Sequence, residues 1–232
     1  MEENIESKDV KIILLGENGV GKTSIINRYI RNEFNPKNDT KTLDSTFSLK
    51  EVKKSNIIYR LKIWDSTGQE EYHSVTKLFI KGSNIILLVF SLDSRESFEH
   101  LNHWYSLIKE ILENDKYILA IIACKNDLKN EQVVSEDEGI KFAEDKKAFF
   151  RSVSSKEDGQ GIVKLFDMLI DELSQTNFES LSESHFLHKK NLKKRRRQQC
   201  LPFGRHSLNS INGRINKNRT VMRFLLRRDD RI

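Results

Sequence analysis

Cysteine is almost missing from this chain of 232 residues: Cys124 and Cys200 are the only two, they stand in unlike contexts, and neither offers metal-ligand spacing. A disulfide framework and a zinc site are thereby excluded. Long apolar runs are missing too, and a run such as Ile85 to Phe90 is far too short to cross a bilayer. The opening MEENIESKDV is acidic and polar, without the apolar segment of a secretory signal, so a cytoplasmic protein is expected. No internal repeat is present. The net charge of +6 is concentrated at one end: residues 177–232 carry 15 Lys+Arg against 4 Asp+Glu, and the rest of the chain is net acidic. This length suits one domain with a proper core plus an appendage. The expected division is a flexible start at 1–8, a domain at 9–176, and a basic tail at 177–232.

What is present begins with Gly16-Glu17-Asn18-Gly19-Val20-Gly21-Lys22-Thr23, which spells G-x-x-x-x-G-K-[ST] directly after the apolar stretch Val10 to Leu15. The order is strand, phosphate loop, helix start. Gly16, Gly19 and Gly21 allow the tight turn that brings backbone N–H groups against phosphate oxygens, and the helix opening at Lys22 adds its positive end. The residues expected around the phosphates are Glu17, Asn18, Gly19, Val20, Gly21, Lys22, Thr23 and Ser24. Lys22 supplies a cation for the terminal phosphates, and the Thr23 hydroxyl can ligate Mg²⁺, a hard ion that prefers oxygen. The bland alternative is a Gly-rich turn that only joins a strand to a helix.

Further along, Thr46 to Val52 and Ile57 to Ile63 form a hairpin pattern around Lys54-Ser55-Asn56. Ile85 to Phe90 and Tyr117 to Ala123 read as strands buried on both faces, alternating with helical stretches near 96–113 and 135–146, and Phe149 to Val153 with a helix over 161–173 completes the series. The pattern predicts an α/β fold: a mostly parallel six-stranded sheet with helices on both faces and ligand loops at the carboxyl ends of the strands.

Four segments fall at such ends. Asp65-Ser66-Thr67-Gly68-Gln69-Glu70 offers a carboxylate that can hold Mg²⁺ through water and a Gly68 N–H for a terminal phosphate. Cys124-Lys125-Asn126-Asp127 offers Asp127 as acceptor for the N1 and N2 edge of guanine, which adenine lacks; one missing charged hydrogen bond costs about 1.5 to 3 kcal/mol, at least tenfold in selectivity. Ser154-Ser155-Lys156 can give a backbone N–H to guanine O6. The fourth segment is the Thr40 to Thr42 part of the long loop.

Taken together, GENGVGKT, WDSTGQE, CKND and SSK resemble the small GTPases in order and spacing, and the chain resembles a Rab more than other branches over about residues 9–175. The P-loop G domain of that family implies GTP/GDP and Mg²⁺ as ligands, with Thr23, Asp65 and Thr42 around the metal. Thr42 follows Thr23 by one residue more than the family's spacing, so Thr40 stays an alternative. By the same resemblance Gln69 is the catalytic residue that orients the attacking water, and Lys125 packs its stem over the base. Phe47, Trp64 and Phe79 match the aromatic triad that faces Rab effectors, ordinary core packing being the alternative. The resemblance further implies an exchange factor, a GTPase-activating protein and effectors as partners, and no stable homo-oligomer. It makes the chain a Rab-like switch that binds and slowly hydrolyses GTP in vesicle traffic, peripheral on intracellular membranes.

Departures from the family pattern bear on rate. The family has Asn where Cys124 stands, and a thiol is a weak hydrogen-bonding group, which implies nucleotide affinity lower by about 1 to 2 kcal/mol and faster GDP release. Asn18 places bulk nearest the terminal phosphate and would slow hydrolysis. No arginine finger is evident in cis. These features leave open a GTP-binding scaffold with negligible hydrolysis. The tail carries seven basic residues between Lys189 and Arg197, then Cys200-Leu201-Pro202-Phe203, a prenylation-like box that is not at the end of the chain. The cluster suits an anionic membrane surface, a nuclear-import or RNA-binding role, or a solvated disordered segment. The apolar Ile211, Ile215, Met222, Leu225 and Leu226 add the option of a membrane-surface helix.

Overall fold

The computed structural model describes residues 6–36, 46–66, 73–113 and 115–176. The strands are β1 (Glu6–Leu15), β2 (Thr46–Lys54), β3 (Ile57–Asp65), β4 (Ile85–Ser91), β5 (Ile118–Cys124) and β6 (Phe149–Ser152). The helices are α1 (Lys22–Arg31), α2 (His73–Ile80), α3 (Arg95–Glu99), α4 (Leu101–Ile111), α5 (Glu136–Asp145) and α6 (Gly159–Gln175), and all elements lie in the unit Met1–Gln175. The basic tail, with Cys200, is outside the described residues. No helix among those described is long and apolar enough to cross a membrane.

The strands form one sheet in the order β2-β3-β1-β4-β5-β6, with only the β2–β3 hairpin antiparallel. Its turn is made by Ser55, whose φ of 53° is left-handed. Every residue of β4 and β5 is buried, as continuous apolar runs require of central parallel strands. One face of the sheet, with Ile12 and Leu14 of β1, Leu61 and Ile63 of β3 and Leu87 and Val89 of β4, packs on α1 and α6 through Ile25, Tyr29, Phe166 and Leu169. Tyr29 and Phe166 stack with ring centres 3.8 Å apart. The helices α3, α4 and α5 cover the other face.

Two differences from the sequence pattern have local causes. β1 starts at Glu6, ahead of its apolar core, because its polar end is zipped to β3: Asp9 pairs with Arg60 at 2.8 Å and Lys62 at 2.6 Å. The stretch read as one helix over 96–113 is two, divided at His100, with Ser94 capping the first by accepting from Ser97 N–H. α5 opens on a capping box, Ser135 with Glu138, and Arg95 binds the same Glu138 at 2.7 Å. The Arg95 hydrogen bond, then those from Ser135, bring the Glu138 carboxyl down to about 2.

The strand order reverses at the β1–β4 seam: the chain leaves β1 for β2 and β3 on one side and reaches β4 to β6 on the other. That is the switch point where open α/β sheets hold ligands. Leu15, Asp65, Ser91, Cys124 and Ser152 close their strands along this same edge.

Candidate functional site

Beyond Leu15 the backbone turns through Gly16, Gly19 and Gly21, with φ of 141°, 76° and 105°. Gly16 is also forced by space, since a Cβ there would lie 2.0 Å from the Val89 carbonyl oxygen of β4. Gly21 is the N-cap of α1 and no side chain caps that end, so the orphan N–H groups of the first turn face the loop. Lys22 bends back across it. Its ammonium donates to the carbonyls of Gly16 and Glu17, both at 2.7 Å, and only 5% of the residue is exposed. Burial pulls its pKa down to about 8, partly opposed by Asp65 and Glu17. Loop, helix end and ammonium together make an anion cradle.

Within the loop, Glu17 turns its carboxylate towards α4, where the Trp104 indole N–H donates to it at 3.0 Å and His100 Nδ1 stands 3.2 Å away. Its expected part beside phosphate therefore falls to its backbone. Asn18 and Ser24 are half-buried, Gly19 is exposed and Val20 is buried.

The metal question turns on Thr23 and Asp65. The Thr23 hydroxyl donates to Asp65 Oδ2 at 2.6 Å, while Asp65 Oδ1 is buried with no hydrogen-bond partner among the described residues. Burial drives the Asp65 carboxyl up, against the Thr23 hydrogen bond and the Lys22 charge. A buried, unsatisfied carboxylate oxygen beside a hydroxyl is a donor set that fits Mg²⁺, which takes few protein ligands and completes its shell with waters and phosphates. No group of three or more His, Cys, Asp or Glu side chains placed to hold a metal ion occurs among the described residues. Thr40, Thr42, Gly68 and Gln69 lie outside those residues.

Two loops close the other end of the site. After Cys124, Lys125 takes a left-handed φ of 60°, and Leu128 and Lys129 amides donate to the Lys125 and Asp127 carbonyls at 3.1 and 2.9 Å. The turn leaves Asp127 half-buried, with a carboxylate that accepts no hydrogen bond from any described residue. Ser154 is buried, and its hydroxyl accepts from the amides of Lys156 and Glu157 at 3.2 and 3.0 Å. With those amides engaged, Ser155 N–H remains for a base carbonyl. The structure adds a residue the sequence pattern does not single out: Arg28 of α1 donates to the Ser155 carbonyl at 2.7 Å and to that of Lys156 at 3.0 Å. No local motif announces such a pairing across the fold.

Cys124 is buried against the phosphate loop, where a Cβ on Gly21 would sit 3.7 Å from its sulfur. Burial pushes the thiol up to about 12, so it stays protonated. It forms no hydrogen bond to the described residues. Lys125, expected over the base, also has its ammonium 3.1 Å from Asp93, in the loop after β4. Asp93 belongs to the same row of strand ends, and the strand-end rule alone could have flagged it.

Phe47 and Trp64, directly opposed on β2 and β3, have ring centres 4.9 Å apart, and Phe79 of α2 stacks on Trp64 at the same distance. Phe47 is 44% exposed while Trp64 and Phe79 are half-buried, and Leu49 of β2 and Leu78 of α2 are 61% and 72% exposed.

The chain matches known proteins over this domain. The Ras family model matches residues 11–175. The Ras-related protein Rab-18 of Caenorhabditis elegans is 34% identical over 167 residues, which is 72% of this chain and 81% of that protein. Human Rab-17 is 34% identical, covering 73% of this chain and 78% of its own length, and RabC of Dictyostelium discoideum is 33% identical, covering 72% and 84%.

Proposed function

Because the chain belongs to the Ras family of small GTPases and is Rab-like within it, we propose that the cradle at Lys22, the Thr23–Asp65 pair and the loops at Asp127 and Ser155 form one guanine nucleotide site that times a membrane-traffic switch. As a family member it is a GTPase that binds GTP and GDP with Mg²⁺ and works with exchange factors, activating proteins and effectors. The observation that carries the site assignment is the buried Asp65 Oδ1 without a partner, beside Thr23 and behind Lys22.

In this reading the N–H groups of Glu17 to Ser24 and the Lys22 ammonium hold the β- and γ-phosphates in line. Thr23, Asp65 and Thr42 (or Thr40) hold the metal, which when bound neutralises charge on the phosphates. Gln69 orients the attacking water, and Gly68 N–H senses the γ-phosphate. Catalysis is then positioning and electrostatics, since phosphoryl transfer asks for little covalent chemistry from the protein. Asp127 selects guanine, and Ser154 shapes the loop in which Ser155 meets its O6, with Lys156 alongside. Phe47, Trp64 and Phe79 form the face that partners read in the GTP state.

Single-turnover hydrolysis with bound GTP tests this. Gln69→Leu is expected to slow it about tenfold or more while GDP binding persists; equal rates would remove Gln69 from the reaction. Phe79→Ala is expected to weaken GTP-dependent partner capture without slowing hydrolysis. The basic tail we assign to an anionic membrane surface, at about 1 kcal/mol per basic residue near the headgroups. The full chain should therefore pellet with phosphatidylserine vesicles at low salt and leave them at high salt, and binding to neutral vesicles alone would reject the assignment.

A further inference from the structure

The base loop of this chain lacks its usual tie. Cys124 is buried with a protonated thiol that hydrogen-bonds no described residue, although it stands between the phosphate loop and the base loop. What it cannot do must be done elsewhere, because the next residue holds a costly conformation. Lys125 has φ of 60°, and a non-glycine residue in the left-handed region is disfavoured, so it persists only where the surroundings hold it. The tie from Asn126 N–H to the Val153 carbonyl is long, at 3.4 Å.

The strong contact is on the other side. Asp93 Oδ2 lies 3.1 Å from Lys125 Nζ, and Asp93 Oδ1 accepts from the Ser91 hydroxyl. Both partners are partly shielded, with 33% of the Lys125 side chain and 21% of the Asp93 side chain exposed. Burial works against the Asp93 charge, but the Ser91 hydroxyl and the Lys125 ammonium outweigh it and hold the carboxyl below its ordinary range. Ser91 is itself the residue paired with Cys124 across β4 and β5, and Leu92 N–H donates to the Cys124 carbonyl at 3.1 Å. The carboxylate is thus mounted on a rigid strand end, one ladder step from the loop it grips.

We infer that Asp93 is a positioning residue for guanine: anchored by Ser91, it holds Lys125 and with it the Asp127 turn in the base-receiving shape, and so sets the rate of GDP release in a loop where Cys124 supplies no hydrogen bond. This rests on the assignment of Asp127 to the base. Asp93 acts through Lys125, the residue expected over the base, and is not itself placed against the nucleotide.

The test uses the full chain loaded with a fluorescent GDP, and reads release in excess GDP for wild type, Asp93→Asn, Lys125→Met and the double variant. Asp93→Asn is expected to release GDP about tenfold faster, the loss of one partly screened charged hydrogen bond. The double variant should release no faster than Lys125→Met alone, because the two act as one unit. Adding Cys124→Asn to Asp93→Asn should return release towards the wild-type rate. Unchanged release by Asp93→Asn, or effects of Asp93 and Lys125 that multiply as independent defects, would overturn the inference while leaving the base assignment intact. A wild type that holds fluorescent ADP as well as fluorescent GDP would overturn the base assignment and the inference together. Should Asp93→Asn not fold, Ser91→Ala carries the same test, with release about two- to threefold faster expected from the loss of one ordinary hydrogen bond and an unaltered rate counting against the inference.

Discussion

Lys22→Ala is expected to weaken GDP and GTP binding by about 3 to 5 kcal/mol, or roughly 100- to 5,000-fold. Two losses combine. The ammonium that would meet the terminal phosphates disappears, and so do its 2.7 Å hydrogen bonds to the Gly16 and Glu17 carbonyls, which hold the loop in its ring before any ligand arrives. The protein itself should tolerate the change. Lys22 is a buried cation whose pKa burial has already lowered to about 8, so its removal relieves a desolvation penalty as well as breaking contacts. Melting temperature with and without excess GDP and Mg²⁺ separates the two effects: the nucleotide-free midpoint stays near wild type and the GDP-dependent rise is lost. A rise equal to that of wild type would show that the phosphates bind elsewhere.

Asp127→Asn is expected to exchange one base for another. The carboxylate of Asp127 accepts nothing from the described residues and is half-buried, so it is available for two donors on one ligand edge. Guanine presents such an edge at N1 and N2. An amide keeps one acceptor and turns the other position into a donor, which faces the N2 amine with a second donor and leaves both unsatisfied. Losing one charged bond and opposing two donors costs about 3 to 4 kcal/mol, or roughly 100- to 1,000-fold in GDP affinity. Xanthine carries a carbonyl in place of that amine and restores the match, so competition binding should show the variant preferring xanthosine diphosphate. If GDP still wins, Asp127 is not the residue that reads the base.

The parts of this site that sequence made legible are those encoded within a few residues of one another. The run from Gly16 to Thr23 carries its own loop chemistry, and β4 and β5 declare themselves because a strand buried on both faces must be apolar throughout. The hairpin turn at Ser55 is legible as the polar run Lys54-Ser55-Asn56 between two strand-like stretches. What stayed hidden depends on residues far apart in the chain. Nothing near Asp93 signals that Lys125 will reach it, and nothing near Arg28 signals the carbonyls of Ser155 and Lys156. The division at His100 leaves no mark in sequence because apolar spacing runs on through it, and the polar start of β1 leaves none because its partners lie on β3. The aromatic triad has two readings in sequence, since spacing cannot tell an exposed ring from a buried one; only the fold shows Phe47 44% exposed beside half-buried Trp64 and Phe79.

Arg28 gives α1 a second duty. The helix begins at Lys22 in the anion cradle and, roughly 9 Å further along its axis at 1.5 Å per residue, Arg28 grips the Ser155 and Lys156 carbonyls of the loop proposed to meet the base. On the proposed nucleotide assignment, a single rigid rod thereby acts as a caliper between the two ends of the ligand. Changing its length by one residue would swing Arg28 by about 100° and release the jaw on the base side, while the phosphate jaw, built from Gly16 to Thr23, stayed whole.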